Sequence, residues 1–393
     1  MVDEGAVTNV LDGSEVAMSV VLSLAGAGPA RVLAGASQLA ELTAALHAYT
    51  EAEHHPWAMR WARGLETDRD RGDASGQSTT SASALTPALR HRVREWAPLW
   101  ASYRARYLLP LSAAGDRTLA EELADIESLP LPLFAELTGY AIRGGNSGSP
   151  LNRVLHDAGQ RAGLLAATER RSTARAELAR RLLDGPDALR ADLLDLLTGI
   201  ALALEPDLTR AERAINAQLP KLRKSMEHDG PGRTLAGLDP SASYRDEPPR
   251  VVFDKFHHGI VNVATTPVLV VPSAFGHPHL LVKHEPGFAA VVQYPLLVEG
   301  DDQPGYAVVH RRLEVLCDPG RQRIARAIAR EPLTPSELAD RGGMSLPQVS
   351  RHLARLREAG LVTVERDGRR AYYQLNLERV RRIGDDLLTA LFH

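Results

Sequence analysis

The chain holds a single cysteine, Cys317, in 393 residues. That excludes an internal disulfide framework and fits a reducing compartment. No apolar run is long enough to cross a bilayer. The apolar stretch Val16 to Leu24 follows acidic residues instead of the basic segment of a secretory leader. A cytoplasmic protein without membrane contact is therefore expected. Lysine is almost missing, with four residues at 221, 224, 255 and 283; arginine supplies the remaining positive charge, as codon composition in a GC-rich genome would produce. There is no excess of positive charge either. The net charge of −3 argues against a general nucleic-acid binder. Also lacking are G-x-S-x-G, a Gly-rich phosphate loop, H-E-x-x-H and a Cys/His nucleophile pair. No catalytic residue can be named, no cofactor is implied, and a non-enzymatic protein is expected.

What is present is length and asymmetry. With 44% hydrophobic residues, 393 residues suffice for two or three domains. From His310 onward the chain has sixteen arginines against eleven acidic residues, a surplus of five. Since the whole chain stands at −3, the remainder carries −8. Affinity for phosphate is thus confined to the last fifth. Helix punctuation is dense there. Asp318 precedes Pro319, an N-cap followed by proline at the first helical position. Thr334-Pro-Ser-Glu337 and Ser345-Leu-Pro-Gln348 are capping boxes, and Gly360 stands where a helix must stop. Two short helices, 335–341 and 346–359, joined at Gly342-Gly343-Met344, make a helix-turn-helix. In the second helix Leu346, Val349, Leu353 and Leu356 recur on one face and are expected in a core. Gln348, Ser350 and Arg351 are left outside, near the end with which a recognition helix reads bases. Two β-rich runs, Leu361 to Arg366 and Arg369 to Leu375, flank Asp367-Gly368 and predict a basic hairpin, a wing.

This order of pieces resembles the ArsR family of winged-helix repressors. The matching stretches are Leu316-Cys-Asp-Pro-Gly-Arg321, Ser336-Glu-Leu-Ala339, Val349-Ser-Arg-His-Leu353, Ala359-Gly-Leu-Val362, and Arg366-Asp-Gly-Arg369 with Tyr372-Tyr373. The resemblance implies a sequence-specific DNA-binding regulator, a repressor, acting as a homodimer on an inverted-repeat operator in double-stranded DNA. Gln348, Ser350 and Arg351 would read bases. Thr334, Ser336, His352 and Arg355 would hold phosphates, and Arg366, Arg369 and Arg370 would make the wing contacts. ArsR-type metal sensors carry cysteines in the first helix of the motif, or paired histidines in the last helix. Thr334 to Arg341 has neither Cys nor His, and residues 377–393 offer no paired His. No metal site is expected in this domain. The last helix bears an apolar stripe of Leu377, Val380, Ile383, Leu387, Leu388 and Leu391, suited to a dimer interface.

The fold class expected is mostly α with a small β region. A helical N-terminal sensor or dimerisation region spans 1–227, a Gly/Pro-rich linker 228–250, a small β region 251–300, and the winged helix 307–393. Residues 1–15 and 68–83 are polar or low-complexity and are expected outside any core. Trp96, Trp100, Tyr103 and Tyr107 form a helical stripe, interrupted by Pro98, that reads as core or as an aromatic pocket with Arg104 and Arg106. Asp254, His257, His258, His277, His279, His284 and Glu285 crowd into about 30 residues, yet at no metal-ligand spacing. They read as polar loop residues flanking buried strands. Three stretches, Glu53-His-His-Pro56, Tyr103 to Pro110 and Val271-Pro-Ser-Ala-Phe275, resemble large actinobacterial ArsR-type regulators. Control by a small, non-metal effector in this region is one reading. The alternative is an enzyme-like N-terminal domain, with the winged helix as a targeting or partner-binding module.

Overall fold

A computed structural model describes residues 19–52, 55, 57–66, 84–101, 103–112, 117–146, 148–239, 241–255, 258–296, 306–367 and 370–392. The polar N-terminus, the low-complexity segment 68–83 and the link 299–305 lie outside the described residues. The chain divides into two compact units, 1–298 and 299–393.

In the first unit, two four-stranded sheets draw strands from both ends of the unit. β1 (Ser19–Ser23) lies between β4 (Arg250–Asp254) and β5 (Gly259–Asn262), antiparallel to the first and parallel to the second. β3 (Ala242–Arg245) flanks β4. The second sheet runs from β2 (Val32–Ala34) to β6 (Val268–Ser273), β8 (Ala290–Pro295) and β7 (Leu281–Lys283). Strand periodicity explains how the sheets stack. Val20, Leu22, Val251 and Phe253 of the first sheet share a core with Val268, Val270, Ala290 and Val292 of the second. The intervening Leu269, Val271 and Val291 face the other way, against Ala40 and Leu109. β6 and β8 are covered on both faces, which is why Val268 to Val271 and Ala290 to Val292 are apolar at every position and do not alternate.

The helices are α1 (Gln38–Thr50), α2 (Ala58–Glu66), α3 (Pro87–Trp96), α4 (Leu119–Ser128), α5 (Leu131–Arg143), α6 (Ala158–Glu169), α7 (Thr173–Asp184), α8 (Pro186–Ala203), α9 (Glu205–His228) and α10 (Pro231–Ala236). Their starts follow local chemistry. The side chains of Ser37, Thr86, Asp157 and Ser172 accept from the backbone N–H three residues on, and Thr118 with Glu121 forms a capping box. Trp96, Trp100, Tyr107 and Phe134 are fully buried at the centre of the helical core.

Two expectations are corrected. The aromatic stripe is not one helix. α3 ends at Trp96, and the chain continues through 3₁₀ turns at Ala97–Leu99 and Arg106–Leu108, because Pro98 cannot donate the hydrogen bond that a continuing helix needs. Nor is 228–250 a linker, and the β region 251–300 does not stand alone. Gly230 turns the chain at φ +82°, α10 follows at once, and β3 completes the first sheet. Leu235 of α10 is fully buried in the core between the sheets. A Cβ on Gly232 would meet the Tyr244 ring at 2.4 Å, so this supposed linker is packed against β3.

One buried carboxylate fastens α1 to the second sheet. Glu41 accepts from Ser273 Oγ at 2.5 Å and from the backbone N–H of Ala274 and Phe275, each at 3.0 Å. Burial pushes its pKa up to about 7; the three hydrogen bonds and the charge of Arg104 act against that rise. Gln293 on β8 joins the same seam, donating to the Ala40 carbonyl and accepting from Arg104.

The second unit contains α11 (Tyr306–Cys317), α12 (Pro319–Ile328), α13 (Pro335–Gly342), α14 (Leu346–Glu358), β9 (Val362–Asp367), β10 (Arg370–Leu375) and α15 (Leu377–Phe392). The helix-turn-helix stands where the capping boxes and glycines put it, and Gly343 and Gly360 take φ of +59° and +69°. Val349, Leu353 and Leu356 of α14 pack with Ile324, Ile328, Leu338 and Ile383. Leu346 departs from the expected core face: it is 48% exposed, because the first turn of α14 projects beyond the core layer that begins at Val349.

Candidate nucleic-acid interface

The recognition-type helix packs against α12, α13 and β9. Asp318 caps α12, accepting from Arg321 N at 2.8 Å, and this hydrogen bond keeps its carboxyl below the usual range. Arg321 in turn donates to the carbonyls of Val315 and Glu314 at the end of α11. His352 of α14 reaches Asp318, with Nδ1 3.7 Å from Oδ1, and lies over Gly320, where a Cβ would meet its ring at 2.8 Å. His352 is therefore half-buried between α14 and α12.

The outward face of α14 carries Gln348, Ser350, Arg351 and Arg355, all exposed. Arg321, Gln348, Arg351, His352 and Arg355 line one shallow concavity. Arg321 is a member that the sequence reading left without a role. Arg355 lies 3.4 Å from Glu358 on the same helix, an exposed pair too weak to hold it from another anion. Gln348 is more constrained than expected. Its Oε1 accepts from Ser345 N at 2.9 Å and from Ser345 Oγ at 3.0 Å. Both lone pairs are taken, which leaves its NH₂ as a donor. A bidentate contact to adenine needs donor and acceptor together, so it requires this cap to open. Thr334 is likewise engaged, its hydroxyl donating to Glu337 at 2.7 Å. Ser336, two positions on, is exposed.

The wing is a two-stranded ribbon in which Arg366 pairs with Ala371 and Arg370 with Asp367. Paired residues share a face, so the exposed Arg366 and Arg370 stand on opposite faces of the ribbon. Arg369 lies outside the described residues. Tyr373 exchanges two backbone hydrogen bonds with Leu333, at 2.9 and 3.0 Å. The wing is thereby tied to the residue that precedes the cap of α13, and its position is fixed relative to the helix-turn-helix.

In the first unit, most of the His/acid group disperses. Glu285 is 3.4 Å from Arg106 and 3.5 Å from Lys283, and the Lys283 ammonium lies 3.3 Å from the centre of the Tyr103 ring. Burial lowers the pKa of Lys283 to about 8 and those of Arg104 and Arg106 to about 10. Glu285 thus neutralises buried cations and is not poised as a ligand. His258 is exposed, His284 packs on Gly259, and His257 lies outside the described residues. His279 differs. It meets His47 and His55, which no sequence spacing connects to it. No helix among the described residues is long and apolar enough to cross a membrane.

Comparison with known proteins divides the chain in the same way. Residues 18–300 match a family of unknown function, DUF5937, and residues 316–365 match a helix-turn-helix domain. The chain is 37% identical over 83 residues to the HTH-type transcriptional regulator KmtR of Mycobacterium tuberculosis, a match covering 21% of this chain and 62% of that protein. It is 45% identical over 64 residues to the arsenic resistance transcriptional regulator ArsR1 of Pseudomonas putida, covering 16% and 50%. Both matches thus span less than two thirds of the relative. A solved ArsR-like transcriptional regulator from Rhodococcus is 27% identical, with a TM-score of 0.20, over 21% of this chain and 77% of that one. The chain belongs to the DUF5937 family, and its residues 316–365 form a helix-turn-helix domain similar to those of these transcriptional regulators.

Proposed function

We propose that the chain is a non-enzymatic, cytoplasmic transcription regulator, a repressor, whose second unit binds an inverted-repeat operator as a homodimer. The observation that carries this reading is the exposed face of α14, with Ser350, Arg351 and Arg355 beside a fixed wing bearing Arg366 and Arg370. Arg351 and Ser350 read base edges, with Gln348 as a donor. Arg355, Ser336 and the wing arginines, Arg369 included, hold phosphates. Thr334 and His352 act by keeping α13 and α14 in place.

The dimer is built on α11 and α15. These helices pack together through the buried Arg312–Asp386 ion pair at 2.7 Å, with Val309 and Ile383 inside. Val308, Leu377, Leu388 and Leu391 stay exposed. A two-fold axis through such a face presents two recognition helices about 34–36 Å apart, one turn of DNA. The first unit contains a cavity of about 400 Å³, lined by residues that include Gln38, Glu41, Arg117, Glu205 and Glu212. It has the size and the mixed polarity of a small-molecule site, and we assign a non-metal effector to it.

Genomic DNA recovered on the purified full chain tests the reading. The fragments should share an inverted repeat, and cell extract containing the effector should release them. Recovery of fragments without a shared sequence would overturn it.

A further inference from the structure

We propose that His47, His55 and His279 form a site for a divalent first-row transition-metal ion of the zinc class, with one coordination position left for water or an exogenous donor. Three separate segments supply the rings. His47 is in the last turn of α1, His55 is in the loop before α2, and His279 is in the loop between β6 and β7. The ring centroids are 5.1 Å apart for His47 and His55, 5.4 Å for His47 and His279, and 4.8 Å for His55 and His279. One nitrogen from each ring lies within 4.8 Å of the other two. A tetrahedral ion with metal–nitrogen bonds of about 2.0–2.1 Å needs nitrogens about 3.3 Å apart. Ligation thus requires side-chain rotations that shorten these distances by up to about 1.5 Å.

The surroundings support ligation. His55 Nδ1 lies 2.9 Å from the His277 carbonyl oxygen. A carbonyl only accepts, so Nδ1 donates here, and a hydrogen bond from the second ring nitrogen to a carbonyl is how metal-bound histidines are oriented. Trp57 Nε1 donates to the same carbonyl at 2.8 Å. The scaffold is fixed on both sides. Glu41 pins residues 273–275 to α1, His279 N donates to the Gly276 carbonyl at 2.8 Å, and Ala58 N donates to the His55 carbonyl at 2.8 Å. The donor chemistry selects the ion. Three imidazoles, with no thiolate and no carboxylate in the group, favour zinc, cobalt, nickel or copper over calcium or magnesium.

The test uses the full chain, freed of metal with a chelator, and no DNA, so its outcome is separate from that of the DNA-binding reading. Zinc uptake is measured by equilibrium dialysis against a competing chelator. Cobalt serves as a spectroscopic probe of coordination geometry and as a quencher of Trp57 fluorescence. One zinc per chain and the visible absorption of tetrahedral cobalt are expected. His279→Gln, in a half-exposed loop, should weaken zinc binding more than about 100-fold, since loss of even an outer partner costs 10–100-fold. His47→Gln and His55→Gln should do the same. His258→Gln, at an exposed position, should bind as the parent does. Melting curves establish that the compared variants are folded. Substoichiometric zinc in the parent, or unchanged binding in His279→Gln and His47→Gln, would overturn the proposal.

Discussion

The Glu41 carboxylate makes the stability of the first unit depend on pH, and the effect can be sized. Glu41 is buried and ionises at about 7 in the folded chain against 4.5 in an unfolded one. The sign follows from proton uptake. Below pH 4.5 both states are protonated and the group is neutral towards folding. Between 4.5 and 7 the folded state holds the proton more tightly, so stability falls as pH rises, and above 7 the loss is complete. At about 1.4 kcal/mol for each tenfold difference in proton affinity, the loss amounts to about 3 kcal/mol. Glu41→Gln keeps the shape and the acceptor for Ala274 and Phe275 but cannot ionise. Urea unfolding of parent and variant at pH 5 and pH 8 measures the difference. All four tryptophans, Trp57, Trp61, Trp96 and Trp100, lie in the first unit, so their fluorescence follows this unit alone. Part of the loss has already occurred at pH 5, so the variant should gain about 2.5 kcal/mol on the parent between the two pH values. Parallel stability profiles would show that Glu41 is ionised at no cost, and the account of this seam would be wrong.

In the second unit, Arg351→Ala should lose about 1–3 kcal/mol of discrimination between operator and mutated operator in a binding titration. Arg370→Ala should weaken all sequences alike and lower the salt dependence by about one counterion. Ser345→Ala should cost about 1 kcal/mol of stability through the lost cap; by loosening the hold on Gln348 Oε1, it should also shift base preference at one operator position, as read by binding-site selection. A chain ending at Leu375 should sediment as a monomer where the full chain is a dimer. A dimer in the shortened chain would move the interface away from α15.

The second unit was legible because its determinants are local. Asp318-Pro319, the two capping boxes, Gly343 and Gly360 each act within four residues, and the helices begin and end where those residues require. Leu346 shows the limit: its spacing was right, but the core layer stops one turn short of it. Gln348 shows another, since the capping box and base reading compete for one oxygen, and only geometry reveals which has it. The first unit was less legible because its pairings are distant. Nothing in Val20 to Leu22 announces Val251 to Phe253, and nothing in His47 or His55 points to His279. The Gly/Pro content of 228–250 suggested a linker, yet Leu235 and Tyr244 were the apolar anchors that mattered.

β1 is an inner strand of its sheet, and its neighbours follow it in the chain by about 230 residues. At synthesis rates of roughly 5–20 residues per second, Val20 and Leu22 wait about 10–50 s for Phe253 and Val251 to leave the ribosome. During that interval the nascent sheet has an apolar strand and no partner for it. The first unit should therefore fold more slowly than the second, whose longest pairing, Arg312 with Asp386, spans 74 residues. Damage to the seam around β1 should appear first as lost yield in the cell, before any change in the affinity of the protein that survives.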